Sequence, residues 1–287
     1  MNKRVLGLAV LALLGYGAIR YYWADAGKSQ PELNVQVSPS LGQANGHALH
    51  VTKDQLYKGT LLLVNKDHPV PKAAGAAAAI QLAQHQEKLT GFGLLDNSIR
   101  LSSNLLDKFS TMVEAAERDG VNHFMLSSGY RDNEEQDRLY RQMGAQYAMP
   151  AGYSEHNLGL SVDIGSTLGE MGHAPEGKWL MQNAWKYGFI LRYPKDKANL
   201  TGIQYEPWHF RYVGLPHSAI MQEKGWVLEE YLDFLQQERH LSVTLDDHTY
   251  AIAYYPVTAL ANIRVPANRR YELSGDNVDG VIVTVYD

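Results

Sequence analysis

The chain is expected to fold as an α+β protein, and three observations predict this. Apolar residues Leu105, Leu106, Phe109, Met112, Val113 and Ala116 recur at helical spacing. Strict alternation in GLSVDIG, residues 159–165, marks a strand. From Leu241 onward the helical pattern gives way to short β-prone runs broken by turn residues.

At the N-terminus, Lys3 and Arg4 precede an uncharged run over residues 5–19, followed by Arg20, Tyr21, Tyr22 and Trp23. A basic start, an apolar core and an aromatic belt describe a membrane-directed segment over residues 1–26. A retained anchor, a signal cleaved near Ala24-Asp25-Ala26 and a buried soluble helix are its three readings; the first two place the remaining chain across the membrane. Residues 27–53 are polar, carry Pro31 and Pro39, and are expected to form a flexible stalk. Residues 54–240 form the main domain. There LLLVN (61–65) is expected as a buried strand, and Ser103 as the cap of a helix ended by Gly120. HFMLSSGYR (123–131) reads as a strand entering a turn, and residues 133–147 as a second helix. Residues 176–187 form a third helix, stopped by Gly188. FILRY and GIQYEPWHFRYVG form a strand pair, and residues 219–240 a last helix. Residues 241–287 are expected as a small β appendage, with a hairpin turning at Asp246-Asp247-His248.

The bulk numbers exclude several classes. Net charge is −5 with no basic stripe, which disfavours a nucleic-acid partner. No cysteine is present, so a thiol nucleophile, a cysteine–zinc cluster, disulfides and an N-terminal lipidated cysteine are all ruled out. HExxH, SxxK, GxGxxG and the P-loop pattern are absent.

Two short segments carry the candidate chemistry. SEHNLGLSVD supplies His156 and Asp163, and EPWHF supplies Glu206 and His209. Two histidine nitrogens and one carboxylate oxygen suit a catalytic zinc with a fourth position for water. Glu206 is then left as a base. Neither spacing is specific alone, and a histidine on a strand is more often packed than metal-bound. Glu206 and His209 are three residues apart, so a regular strand would turn them to opposite faces. Pro207 between them is expected to mark a bend that turns both inward.

These residues resemble a known family. SEHNLGLSVD is similar to the SxHxxGxxxD motif of the LAS zinc metallopeptidases, EPWH to their ExxH motif, and SSGYRDNEEQ (127–136) to the SGYR…Q segment preceding them. Order and spacing resemble the D-alanyl-D-alanine carboxypeptidase branch of VanY type, over nearly everything beyond the stalk. The resemblance implies a LAS/hedgehog-like domain with a central antiparallel sheet flanked by helices. It implies one Zn2+ on His156, Asp163 and His209, Glu206 as catalytic base, and Arg131 facing the scissile carbonyl oxygen. It also implies Gln136 and Ser154 at the substrate's terminal carboxylate, with Tyr130 and Trp208 walling the pocket. The implied substrate is a peptidoglycan precursor peptide ending in D-Ala-D-Ala, in the setting of glycopeptide resistance. An L,D-carboxypeptidase, a D-Ala-D-Ala dipeptidase and a non-catalytic wall-binding protein are the alternatives. The extra β segment exceeds the family's minimal core.

Overall fold

The structure, a computed structural model, describes residues 32–38, 40, 46–72 and 78–287. The expected anchor over residues 1–26 lies outside the described residues. Among the described residues, no helix is long and apolar enough to cross a membrane.

Among the described residues two five-stranded sheets dominate, accompanied by two two-stranded ribbons. The first sheet runs β4-β6-β7-β9-β8, with β4 at Phe92–Leu94, β6 at Phe124–Ser128, β7 at Ser161–Ser166, β8 at Phe189–Leu191 and β9 at His209–Tyr212. All its pairings are antiparallel except β4 with β6, which is parallel. The second runs β1-β10-β11-β14-β13, with β1 at Leu33–Val37, β10 at His240–Leu245, β11 at His248–Pro256, β13 at Tyr271–Gly275 and β14 at Gly280–Tyr286. The ribbons pair β2 (Gly46–Ala48) with β12 (Arg264–Pro266), and β3 (Ala79–Gln81) with β5 (Arg100–Ser102).

The helices are α1 (Ser103–Arg118), α2 (Asn133–Met143), α3 (Pro175–Asn183), the single turn α4 (Ala198–Thr201), α5 (His217–Lys224) and α6 (Leu228–Glu238). The apolar stripe of α1 is buried as its spacing predicts, against Phe124, Leu126, Val162, Ile164 and Phe210 of the first sheet. Each such fully buried side chain contributes about 1.5–3 kcal/mol relative to exposure. A second core joins Leu61 and Leu63 to α5, α6 and one face of the second sheet, including Leu241, Val243, Ile252 and Ile282. The other face of that sheet packs Val281, Val283 and Val285 against Ile263 and Val265.

Several expectations are corrected. Within the expected stalk, Leu33–Val37 is a strand in register with β10, and Gly46–Ala48 pairs with β12. Residues 241–287 are not an appendage, because their sheet is the floor of a core shared with α5 and α6. The run LLLVN is buried but forms no ladder. The Leu62 carbonyl and that of the preceding Thr60 accept from Arg211, the Leu63 carbonyl accepts from Asn277, Leu61 N–H donates to Ser274 Oγ and Leu63 N–H donates to the Asp276 carbonyl. Ser102 rather than Ser103 caps α1, accepting from Leu105 N–H at 3.3 Å. The expected helix over 219–240 breaks at Gly225, whose φ of 64° is left-handed.

Candidate metal centre

Strand period and register bring the predicted residues together. On β7, Ser161 and Asp163 share one face, while Val162 and Ile164 face the core. On β9, His209 and Arg211 share a face, and Phe210 enters the same core. The two strands pair so that Asp163 lies opposite His209 and Ser161 opposite Arg211. Directly opposed residues on one face are neighbours in any antiparallel pair. The bend expected at Pro207 is present: His209 N–H donates to the Glu206 carbonyl at 3.2 Å, closing a turn over Pro207 and Trp208. Glu206 Oε2 thereby comes within 3.8 Å of His209 Nδ1. His156 arrives from the 3-10 turn Glu155–Leu158, which Gly159 ends at a φ of 70°.

His156, Asp163 and His209 form a buried cluster. His156 Nε2 is 3.2 Å from Asp163 Oδ2 and 3.3 Å from His209 Nδ1, and His209 Nδ1 is 3.1 Å from Asp163 Oδ1. Ligands 2.0–2.1 Å from a tetrahedral zinc lie roughly 3.3 Å apart, a spacing matched by the two histidine nitrogens and, for each of them, one oxygen of the Asp163 carboxylate. Asp163 Oδ1 is buried and accepts no hydrogen bond of ordinary geometry, its close polar neighbour being the other ligand nitrogen, His209 Nδ1, as expected of an atom meant for a cation. His156 Nδ1 lies 2.6 Å from the Gly129 carbonyl, which can only accept, so the proton belongs on Nδ1 and the lone pair on Nε2. Burial, with Arg131 adding to it, pushes the His156 imidazole down to about 4, so the ring is neutral. Burial works against a charge on His209 too, but Asp163 and Glu155 outweigh it and raise that ring to about 9. The negative charge that holds this proton is charge that a divalent cation can use in its place. The donor set, its spacing and its charge fit a zinc ion.

Glu206 is buried beside this cluster. Burial pushes its carboxyl up to about 7, with Asp163 adding and His209 and Arg131 opposing. Arg131 Nη1 donates to Asp163 Oδ2 at 3.1 Å and to Ser128 Oγ at 2.9 Å, while its Nε donates to Gln136 Oε1 at 2.9 Å. Arg131, Asp163 and Trp208 line one cleft of about 500 Å³, together with Ser127, Ser128 and the α2 residues Glu135 and Arg138.

Other predicted residues lie elsewhere. Gln136 is buried behind Arg131, and its amide nitrogen donates to the Met149 carbonyl at 2.6 Å. Ser154 is buried and accepts from His156 N–H at 3.3 Å, capping the turn that carries the ligand. Tyr130 lies under the Arg100 guanidinium, 5.1 Å from its ring centroid, and lines a separate cleft with Asn133 and Gly152.

A buried ionic cluster behind the metal ligands escaped the sequence reading. Glu155 Oε1 accepts from Arg192 Nε at 2.8 Å and from Arg211 Nη1 at 2.6 Å. Glu155 Oε2 accepts from Ser161 Oγ at 3.0 Å and lies 3.4 Å from His209 Nε2. Burial opposes ionisation of Glu155, but the two guanidinium groups hold its carboxyl well below the usual range. The available signal was the period of two on β7 and β9, which puts Ser161 beside Asp163 and Arg211 beside His209.

Comparison with known proteins agrees with this geometry. Residues 98–215 match the VanY family model, described as D-alanyl-D-alanine carboxypeptidase. The chain is 58% identical over 236 residues to a D-alanyl-D-alanine carboxypeptidase of Enterococcus faecium, across 82% of this chain and 78% of that one. It is 38% identical over 197 residues to the bifunctional D-Ala-D-Ala dipeptidase and D-Ala-D-Ala carboxypeptidase VanXYC of Enterococcus gallinarum, across 62% of this chain and 96% of that one. Among solved structures, the vancomycin-resistance D,D-dipeptidase VanXYg, in complex with a D-Ala-D-Ala phosphinate analog, aligns with a TM-score of 0.70 at 28% identity, over 90% of this chain and 100% of that one. A mutant of the vancomycin-resistance D,D-pentapeptidase VanY from a VanB-type cassette, in complex with Zn(II), aligns with a TM-score of 0.51 at 30% identity, over 60% of this chain and 98% of that one. At this identity and coverage, the chain belongs to the VanY family of D-alanyl-D-alanine carboxypeptidases, zinc metallopeptidases of the LAS type.

Proposed function

We infer that the protein is a D,D-carboxypeptidase that removes the terminal D-alanine from peptidoglycan precursor peptides ending in D-Ala-D-Ala, a role that contributes to glycopeptide resistance. The observation that carries this reading is the buried His156–Asp163–His209 cluster, its two histidine nitrogens 3.3 Å apart and each 3.1–3.2 Å from one oxygen of the Asp163 carboxylate, with Glu206 and Arg131 beside it. His156, Asp163 and His209 would hold a zinc ion, which when bound would supply Lewis-acid charge and make water a stronger acid, with a pKa towards ~7.

The remaining steps belong to the chain itself. Glu206 takes the proton of the attacking water and passes it to the departing amine nitrogen, and a carboxyl poised near neutrality suits both transfers. Arg131 places positive charge where the carbonyl oxygen gains negative charge. Arg131 is held for this by Gln136, Ser128 and Asp163, which leave its Nη2 for the substrate. Arg138 adds a second cation on the cleft wall, suited to a terminal carboxylate. Trp208 forms an apolar part of the same wall.

The basic start and apolar run of residues 1–23 support an N-terminal membrane segment with the catalytic part outside the cytoplasm. Tethering near lipid-linked precursors would raise the effective substrate concentration.

The likeness to a dipeptidase fold over most of the chain favours a second reading, cleavage of free D-Ala-D-Ala. One experiment addresses both. Purified protein is given a D-Ala-D-Ala-terminated pentapeptide, a tetrapeptide or free D-Ala-D-Ala, with and without a chelator. Release of one D-alanine from the pentapeptide, abolished by chelator and restored by zinc, is the expected result. Cleavage of the dipeptide alone would replace the first reading with the second. Glu206→Gln should retain zinc but lower kcat by ~10² or more; near-normal turnover would remove Glu206 from the reaction.

A further inference from the structure

We propose that Glu155 is a positioning residue that fixes the tautomer of His209, leaving Nδ1 free for the metal, and that Arg192 and Arg211 orient Glu155 for this task. The inference rests on the zinc reading above and extends it to residues that touch neither metal nor substrate.

The two histidines present different nitrogens to the cluster, Nε2 from His156 and Nδ1 from His209. A neutral imidazole has one N–H and one lone pair, and the partner of the far nitrogen decides which is which. For His156 that partner is the Gly129 carbonyl. For His209 it is Glu155 Oε2, 3.4 Å from Nε2. An ionised carboxylate only accepts, so Nε2 keeps the proton and Nδ1 keeps its lone pair.

The two oxygens of Glu155 have separate duties. Oε1 takes both guanidinium groups, from Arg192 Nε and Arg211 Nη1. Oε2 takes the Ser161 hydroxyl and His209. This division makes a near-isosteric change informative. In Glu155→Gln, the amide oxygen must stay at the two guanidinium groups, because an NH2 there would face two donors. The NH2 then occupies the other place and points at His209 Nε2. That arrangement favours a lone pair on Nε2 and the proton on Nδ1, where the metal binds.

The clamp is anchored outside the segment matched by the family model, residues 98–215. Arg192 forks onto both oxygens of Glu229 on α6, at 2.9 and 2.8 Å, and Asn65 donates to the same carboxylate at 3.1 Å. Arg211 Nη2 donates to the carbonyls of Thr60 and Leu62, each at 2.9 Å. Residues 60–65 and α6 therefore steady a metal ligand they do not contact.

The test measures the zinc affinity of the full chain by competition with a chelator, with the cobalt(II) visible spectrum as a report on ligand geometry. Glu155→Gln is expected to bind zinc 10–100-fold more weakly, the usual effect of losing a partner of a metal-bound histidine. Its cobalt spectrum should differ from that of the unmodified chain. Glu155→Asp keeps the charge the arginines need but draws the carboxylate away from His209. It should therefore fold and still lose zinc affinity, and it carries the test if Glu155→Gln does not fold. KM for the peptide at saturating zinc should stay near wild type in both. Wild-type zinc affinity and cobalt spectrum in folded Glu155→Asp or Glu155→Gln would overturn the proposal. An unmodified chain that binds no zinc would instead sink the metal reading itself.

Discussion

Arg131 occupies the junction between cluster and cleft, and its planar fork is what the position uses. Nε and Nη1 are committed to Gln136, Ser128 and Asp163, and the fork fixes the direction of what remains. A lysine has no fixed fork and cannot hold two fixed contacts while facing a third group. Arg131→Lys is therefore expected to keep zinc but lower kcat by about 10²–10³, the scale for one donor at a developing oxyanion. Steady-state kinetics with zinc content measured in parallel checks this; wild-type kcat in the lysine variant would show that charge alone suffices there. At this scale, the residues legible in the sequence were those in short motifs, namely His156, Asp163, Glu206, His209 and Arg131. Gln136 and Ser154 were located, but their contacts were not. Both are buried behind groups they hold, and a polar side chain's choice between substrate and neighbour is decided by packing. Glu155, Arg192 and Arg211 were illegible for a related reason. Charged residues are almost never fully buried unless paired, and their pairing here spans 37 and 56 positions.

The element that delivers Gln136 is α2, and its start is fixed by a reciprocal cap. Asp132 Oδ1 accepts from Glu135 N–H at 2.9 Å, and Glu135 Oε2 accepts from Asp132 N–H at 2.9 Å. Arg100 pairs with both carboxylates, tying the cap to β5. Asp132→Ala removes half of this box. It is expected to destabilise by about 1 kcal/mol, which lowers Tm by about 2–4 °C. Zinc content should be unchanged, since no ligand lies on α2. An unchanged Tm would mean that Glu135 and Arg100 hold the helix start without Asp132. Helix α1 and strands β6, β7 and β9 were legible because one face of each is apolar at its own period. LLLVN was misread because burial and β-propensity do not specify a ladder partner. Side chains of Arg211, Ser274 and Asn277 and the backbone carbonyl of Asp276, all far along the chain, satisfy its backbone instead. Residues 219–240 looked continuous because the apolar pattern resumes after Gly225, which hides a left-handed residue that ends one helix.

Over the whole molecule, the two sheets are joined through α5 and α6, and His217 is the polar pin of that joint. Its Nδ1 lies 2.7 Å from Tyr231 Oη on α6, and its Nε2 lies 2.9 Å from Thr284 Oγ1 on β14. The sequence showed neither contact, because residues 33–37 and the region beyond 240 read as separate attachments until strand pairing closed them into one sheet. Burial pushes the His217 imidazole down to about 3. In the unfolded chain the ring takes a proton near its ordinary value of about 6.5. Between these two values the unfolded chain binds a proton that the folded chain refuses. Stability is therefore complete above about 6.5 and is lost as pH falls towards 3, at up to roughly 1.4 kcal/mol per pH unit from this group. His217→Gln keeps a polar side chain at the joint but removes the titration. It should have a lower urea midpoint at pH 7 and a shallower fall in stability between pH 6.5 and 4.5 than the unmodified chain. Urea unfolding across that range compares the slopes directly. Parallel pH slopes in the two proteins would mean that the acid sensitivity of the joint lies with groups other than His217.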